Sequence, residues 1–312
     1  MPICNNCKRP LILNGGKCAI CGADPNEAPQ SNAGKQVGGK SKPIIQRKTF
    51  ITRDGQSPYS QYAGQSIILG AKTDRFGNPQ GSQYDLAKDG AFKGYKIVVV
   101  YLCDEGNMVL PRPALEKKGF SVIVLSSSEV SETRLKNELS NDKCQFWIVS
   151  HRSCYLSSDC CNVIYDHFNK GRGLYIWSDN DPYFADSNVL IRKLFNTDMS
   201  GNYWGDQVLT IQSGEKRPGI IKNHPITTGL QNFYEGITIS NVKLTQDLNP
   251  LVYSSDGKIV TAYYDKDGKR ALIDGGFTRL YNKWDSAGTD RFVVNCAAWL
   301  TNIERFGYHP DE

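Results

Sequence analysis

Apolar residues fall along this chain in two rhythms. From Tyr95 they come in solid, strand-length blocks, "YKIVVVYLC", "FSVIVLS", "QFWIVS" and "GLYIWS". A continuous β-branched or aromatic run marks a strand buried on both faces, as in parallel sheets. Between and after the blocks lie segments with helical spacing. "LPRPALEKKG" is closed by Gly119, and "ETRLKNELSN" is capped by Ser131 with Leu135 and Leu139 one turn apart. "DCCNVIYDHFNKG" and "SNVLIRKLF" continue the alternation. Strand then helix, repeated, predicts an α/β fold with a doubly wound, mostly parallel sheet.

After Asn196 the rhythm shortens. "QVLTIQ", "GIIKN", "GITISNVKL", "PLVYSS", "KIVTAYYD" and "RALIDGGF" read as strands added to that sheet, and "DKDGK" is a hairpin signal. "TDRFVVNCAAWLTNIERFG" predicts a closing amphipathic helix with Phe292, Cys296, Trp299, Leu300 and Ile303 on one side. The turn signals show no fixed period, so no internal repeat is expected.

The first 92 residues are organised differently. Residues 1–24 hold Cys4-x-x-Cys7 and Cys18-x-x-Cys21, with "LILNGG" between them as a strand and turn. Two such pairs can surround one structural Zn2+ tetrahedrally, and four thiolates leave no open position for metal chemistry. A unit this short cannot fold on an apolar core, so the ion would supply on the order of 10 kcal/mol of its folding free energy. Residues 25–44 have the Pro, Gly, Ser and Lys content of a flexible linker. Residues 45–92 carry short β-like runs and read as a β-rich arm packing on the main α/β domain, 93–312.

Composition narrows the classes. Of 312 residues, 39% are hydrophobic and 22% charged, a globular balance. A net charge of +5 is too small to argue for nucleic acid. No apolar run reaches the roughly 18–20 residues of a membrane span. Six further cysteines scattered through apolar contexts, with no leader pattern, predict a reducing, cytoplasmic location. Cys160 and Cys161 read as core.

Candidate chemistry concentrates where "GLYIWS" breaks into "DNDPYFADSN". Strand, sharp polar turn and helix is where α/β enzymes place a nucleophile, but a nucleophile elbow needs small residues two before and two after it. Around Ser178 those positions are Ile176 and Asn180; around Asp179 they are Trp177 and Asp181. Asp179, Asp181 and Asp186, with Asn180 or Asn188, could gather a hard cation, or cap the turn and helix start. The carboxyl end of a parallel sheet is also where ligands bind, which points to Asp179, Asn180, Asp181 and Tyr183 as a pocket lining. His151 and Cys154, after the third strand, offer a redox or hydrolase pair if the thiol is depressed, or plain packing. Asp274, Thr278, Arg279, Asp285 and Thr289 form a candidate polar network with the elbow, Arg279 pairing Asp285, after Gly275 and Gly276 allow close backbone approach.

The phrases "GRGLYIWSDNDPYFADSN", "NHPITTGL", "YEGITIS", "LIDGGFTRLY" and "AGTDRFVVNCAAWL" together resemble the class I glutamine amidotransferase-like superfamily over about residues 93–306. The likeness is to its non-catalytic branches, the domain shared by gliding-motility and intraflagellar-transport proteins and the trehalose-utilisation-like proteins. Catalytic members carry a Cys on the elbow after the fourth strand and a His–Glu pair near the C-terminus. Here no Cys lies between Cys161 and Cys296, His224 sits in the "NHPIT" turn that the resemblance makes structural, and His309 is among the last four residues. A Cys-rich ribbon before such a domain is similar to proteins of bacterial stress or phage-defence systems.

The expectation is a non-enzymatic binding or adaptor protein. A degenerate amidotransferase-like domain would present Asp179, Asn180, Asp181, Tyr183, Thr278 and Arg279 to a protein, peptide or small molecule, and the zinc ribbon would add a second contact. The alternatives are a divergent hydrolase or transferase at the same edge, and nucleic-acid binding led by Lys8, Arg9 and Lys17 of the ribbon, which lacks a stacking aromatic. No membrane partner is expected.

Overall fold

The computed structural model describes residues 89–302 except 105, 142, 213–215, 222–223, 229, 231 and 285–286, together with four short N-terminal strands. Leu13–Asn14 pairs antiparallel with Lys17–Cys18. Ile44–Arg47 pairs antiparallel with Gln65–Ile68. Cys4, Cys7, Cys21, most of the linker and most of the arm lie outside the described residues. Phe92 stacks on Phe120 at 4.6 Å.

The α/β half runs β1 (Lys96–Tyr101), α1 (Pro111–Lys117), β2 (Ser121–Leu125), α2 (Glu132–Glu138), β3 (Cys144–Val149), α3 (Ser158–Asn169), β4 (Leu174–Trp177) and α4 (Ala185–Phe195). The expected Ser131 cap is in place, accepting from the Arg134 N–H, and Ser157 caps α3 in the same way, accepting from the Cys160 N–H. The second half holds β5 (Met199–Trp204), β6 (Val208–Gln212), β7 (Gly219–Ile221), β8 (Asn232–Tyr234), β9 (Thr238–Val242), β10 (Asn249–Tyr253), β11 (Ile259–Lys266), β12 (Lys269–Asp274) and α5 (Thr289–Leu300).

Ten strands form one sheet in the order β8-β6-β7-β10-β11-β12-β4-β3-β1-β2. Pairing is parallel throughout β2-β1-β3-β4-β12. Beyond β12 the added strands are antiparallel except for β6 with β7. The hairpin β11–β12 turns through Asp267 and Gly268, with φ of 53° and 67°, the left-handed pair that a two-residue turn requires. β5 and β9 form a separate two-stranded antiparallel sheet.

Alternate residues of the central strands enter opposite layers. Ile97, Val99, Trp147, Val149, Tyr175 and Trp177 meet Leu115 of α1 and Phe292, Val293 and Cys296 of α5. Val98, Val100, Phe146, Ile148, Leu174 and Ile176 meet Leu135 of α2, Ile164 and Phe168 of α3 and Leu190 of α4. Both faces are therefore covered, which is why these strands read as unbroken apolar runs. Each such side chain, fully buried, contributes roughly 1.5–3 kcal/mol relative to exposure.

Helix α5 departs from the expected amphipathic pattern, because its residues are buried on every side except at Asp290. Gln145 donates to the Ala297 carbonyl at 3.0 Å, and Asn295 donates to Ile226 and Thr228 carbonyls of the "NHPIT" turn. That turn roofs the helix. His224 accepts the Ile226 N–H at 3.2 Å and packs on Tyr263 and Trp299. Ile303 lies outside the described residues.

Candidate functional site

The elbow follows β4 without a break. The Ser178 N–H donates to the Asp274 carbonyl at 2.8 Å, and the Ser178 carbonyl accepts from the Phe277 N–H at 2.9 Å. Ser178 is fully buried, and its hydroxyl is turned inward to the Met199 sulfur and the Asp274 carbonyl. A nucleophile would have to face the solvent edge, and this one does not.

The rest of the turn is held by its neighbours. The Asp179 N–H donates to the Tyr183 carbonyl, the Tyr183 N–H to the Asn180 carbonyl, and the Asp181–Pro182 bond is cis. Asp179 is buried and accepts from the Thr238 hydroxyl of β9 at 3.2 Å. Asn180 donates to the Asn202 side chain of β5 at 3.0 Å. Asp181 is exposed and Tyr183 half-buried. Along β5, Ser200, Asn202 and Trp204 alternate outward, and Trp204 is 70% exposed.

Asp186 and Asn188 serve the backbone instead. Asp186 accepts the Tyr155 and Leu156 N–H groups, each at 2.8 Å. The Asn188 amide accepts the Met199 N–H at 2.7 Å and donates to the Met199 carbonyl at 3.0 Å, as a paired strand residue would. Two of the proposed cation ligands are thereby committed elsewhere. Among the described residues, no group of three or more His, Cys, Asp or Glu side chains is placed to hold a metal.

Behind the elbow lies a buried polar cluster. Asp274, at the end of β12, pairs with Arg279 at 2.5 Å and accepts from Thr261, Tyr175 and the Gly276 N–H. Burial pushes the Asp274 carboxyl up, and Arg279, Thr261, the Gly276 amide and Tyr175 pull it back. Arg279 also donates to the Glu235 carbonyl at 2.6 Å and lies 4.4 Å over the Phe233 ring. Burial likewise raises the Glu235 carboxyl, against the Ser255 hydroxyl, the Ser255 N–H and the Gln207 N–H that it accepts from. The glycine pair after β12 permits this crowding: a Cβ on Gly275 would meet the Ser240 carbonyl at 2.6 Å, and one on Gly276 would collide with the Glu235 carbonyl and Arg279.

The expected network is thus only partly the one present. Arg279 pairs with Asp274, next to the close-approach glycines, whereas Asp285 lies outside the described residues. Thr278 is buried and accepts the Ile237 N–H at 2.8 Å; Thr289 is buried at the start of α5. Thr278 and Arg279 stand inside the protein, so the structure does not bring them to the surface that Asn180 and Asp181 share.

His151 and Cys154 each take other partners. Burial and then the Asp186 carboxylate push the Cys154 thiol up, not down, and its sulfur contacts the Leu156 carbonyl at 3.7 Å. His151 reaches a residue that pattern reasoning missed. Its Nε2 lies 2.9 Å from the Asp104 carboxylate, and its Nδ1 accepts the Ser153 N–H at 3.2 Å. Asp104 and His151 follow β1 and β3, adjacent strands whose crossovers leave in opposite directions, the switch point at which open α/β sheets bind ligands. The signal was the polar end of "YLCDEG", two strands away from the elbow.

No family model matches the chain, and no curated protein matches it. Solved structures do resemble it. A cytoplasmic protein from Salmonella typhimurium LT2 is 12% identical with a TM-score of 0.47, covering 68% of this chain and 98% of its own. A second cytoplasmic protein from Salmonella typhimurium is 9% identical with a TM-score of 0.48, covering 65% and 98%. A GMP synthase component from Thermoplasma acidophilum is 9% identical with a TM-score of 0.40, covering 65% and 94%. The α/β assignment rests on the strand order itself. Among the described residues, no helix is long and apolar enough to cross a membrane.

Proposed function

We propose that this chain is a non-enzymatic binding protein of the amidotransferase-like type, whose recognition surface is the carboxyl edge of the parallel strands. The observation that carries the reading is Ser178: the turn after β4 stands where an α/β enzyme would place its nucleophile, yet its one hydroxyl is sealed against Met199 and Asp274. Activation needs a base within hydrogen-bond reach, and the groups around that hydroxyl are a thioether and a carbonyl. Asn180, Asp181 and Tyr183 with Asn202 and Trp204 supply polar and aromatic groups at the rim.

The N-terminal ribbon adds a second contact in this reading. Cys18, the first thiol of the second CxxC, lies on a strand paired with Leu13–Asn14. Four thiolates from Cys4, Cys7, Cys18 and Cys21 suit one structural Zn2+. Linked by the 25–44 segment, ribbon and sheet edge would gain avidity on one target.

Affinity capture from the source cell's extract tests the reading. The full chain should retain a defined component, weakened by Asn180→Ala with Asp181→Ala and by removal of residues 1–30. Stoichiometric labelling of Ser178 by a serine-hydrolase probe, abolished by Ser178→Ala, would overturn it in favour of catalysis. Cys4→Ser with Cys7→Ser should release one zinc, measured by plasma mass spectrometry, and leave the main domain's melting unchanged.

A further inference from the structure

The pair at the switch point is not an isolated ion pair. The His151 ring is 3% exposed, and the two tyrosines that wall it stand steeply to it. Tyr155 lies 5.2 Å away at 64°, and Tyr183 lies 6.2 Å away at 87°. Tyr155 is 45% exposed, and the Asp104 side chain 75%. An exposed carboxylate is thus held by a buried imidazole that two tyrosines pack against.

Its charge follows from the hydrogen bonds. Nδ1 of His151 accepts the Ser153 N–H, so Nε2 is the nitrogen that carries the proton and donates it toward Asp104. An imidazole with an acceptor nitrogen carries no charge. It therefore orients one carboxylate oxygen without neutralising Asp104, and the second oxygen is left toward solvent. Arg152, exposed on the same loop, forms no ion pair among the described residues. The ring faces are negative as well, and a cation over such a face gains about 0.5–1 kcal/mol at an exposed site.

We propose that Asp104, oriented by His151, whose ring packs against Tyr155 and Tyr183, is a recognition site for an organic monocation, an alkylammonium or guanidinium group. The site rests on the binding function assigned above to this sheet edge and specifies what part of it reads. A neutral amide would forgo the charge-assisted hydrogen bond, and an anion would meet a like charge. Phosphate-bearing ligands are disfavoured for the same reason.

Calorimetry or tyrosine-ring NMR on the full chain can decide, using methylammonium, methylguanidinium, N-acetyl-lysine amide and N-acetyl-glutamine amide as probes. The cations should saturate and the neutral amide should not. Asp104→Asn, which keeps an acceptor for His151 and so keeps the fold, should weaken cation binding about tenfold, and Tyr155→Leu about threefold. If a lysine or arginine peptide binds more tightly than the free cation, the source is a polypeptide; equal binding makes it a small amine. Equal binding of the neutral amide, no effect of Asp104→Asn, or no saturable cation binding would overturn the site. Capture that depends on Asn180 and Asp181 but not on Asp104 or Tyr155 would remove the cation site while leaving the binding function standing. Absence of any captured component would count against that function instead.

Discussion

His167 should set the acid limit of this fold. It sits on α3 at 3% exposure, and its Nε2 has no hydrogen-bond partner among the described residues. Burial, followed by the nearby charges of Arg172, Lys170 and Lys96, pushes its pKa down to about 3 from an ordinary 6.5. The depressed value means that the folded state refuses a proton that the unfolded chain accepts. Nothing is lost above the unfolded pKa of about 6.5, and stability falls as pH drops from there toward about 3. The slope is about 1.4 kcal/mol per pH unit for one group, so between about pH 6.5 and 4.5 this residue alone costs about 3 kcal/mol. His167→Leu removes the titration and the unpartnered nitrogen together. Urea unfolding followed by tryptophan fluorescence at neutral pH and near pH 4.5 would measure both proteins. The variant should be no less stable than the parent at neutral pH and ahead of it by about 3 kcal/mol more in acid. The carboxylates contribute equally to both proteins and cancel in the difference. If the gap does not grow by more than about 0.5 kcal/mol, His167 is not a buried neutral imidazole and the reasoning fails.

Arg279→Leu should destabilise by about 3–5 kcal/mol, because it strands the Asp274 carboxylate in the interior; a double change with Asp274→Leu should recover part of that in the same unfolding assay. Gly276→Ala should cost upwards of about 2 kcal/mol, since the new methyl collides with the Glu235 carbonyl, which is fixed backbone, and an unchanged melting temperature would contradict the packing. Alkylation of Cys154 by iodoacetamide should lag behind free cysteine at mildly alkaline pH and accelerate in Asp186→Asn; faster reaction than the free thiol would restore the activated-cysteine reading.

The sequence disclosed the α/β half because its signals are local. Solid apolar runs need no partner to be recognised: "KIVVVY" and "QFWIV" are buried on both faces, and Ser131 announces the helix it caps. The β-rich half was less legible. β5 reads "MSGNYW", a strand whose outward residues are polar and whose Gly201 suggests a turn, so its pattern does not announce a strand. Helix α5 misled in the other direction: its pattern showed one apolar side, but Asn295 and Arg291 are buried too, because the "NHPIT" turn covers what would have been the wet face. The elbow was legible as a polar turn after the fourth strand. What could not be read was pairing across long distances, Asp104 with His151 across 47 positions or Gln145 with the Ala297 carbonyl across 152. Those contacts depend on strand order, which periodicity does not encode.

The amide of Asn188 has a consequence beyond its two hydrogen bonds. β5 belongs to a two-stranded sheet, so the side away from β9 would be an open edge able to template another chain. Asn188 takes both main-chain groups of Met199, and the Asp181 N–H takes the Gly201 carbonyl two residues on. One side chain and one turn amide thus counterfeit a neighbouring strand along this edge. That pairing is what keeps copies of the protein from zipping together there, so substitutions at Asn188 should reveal themselves first as aggregation rather than as unfolding.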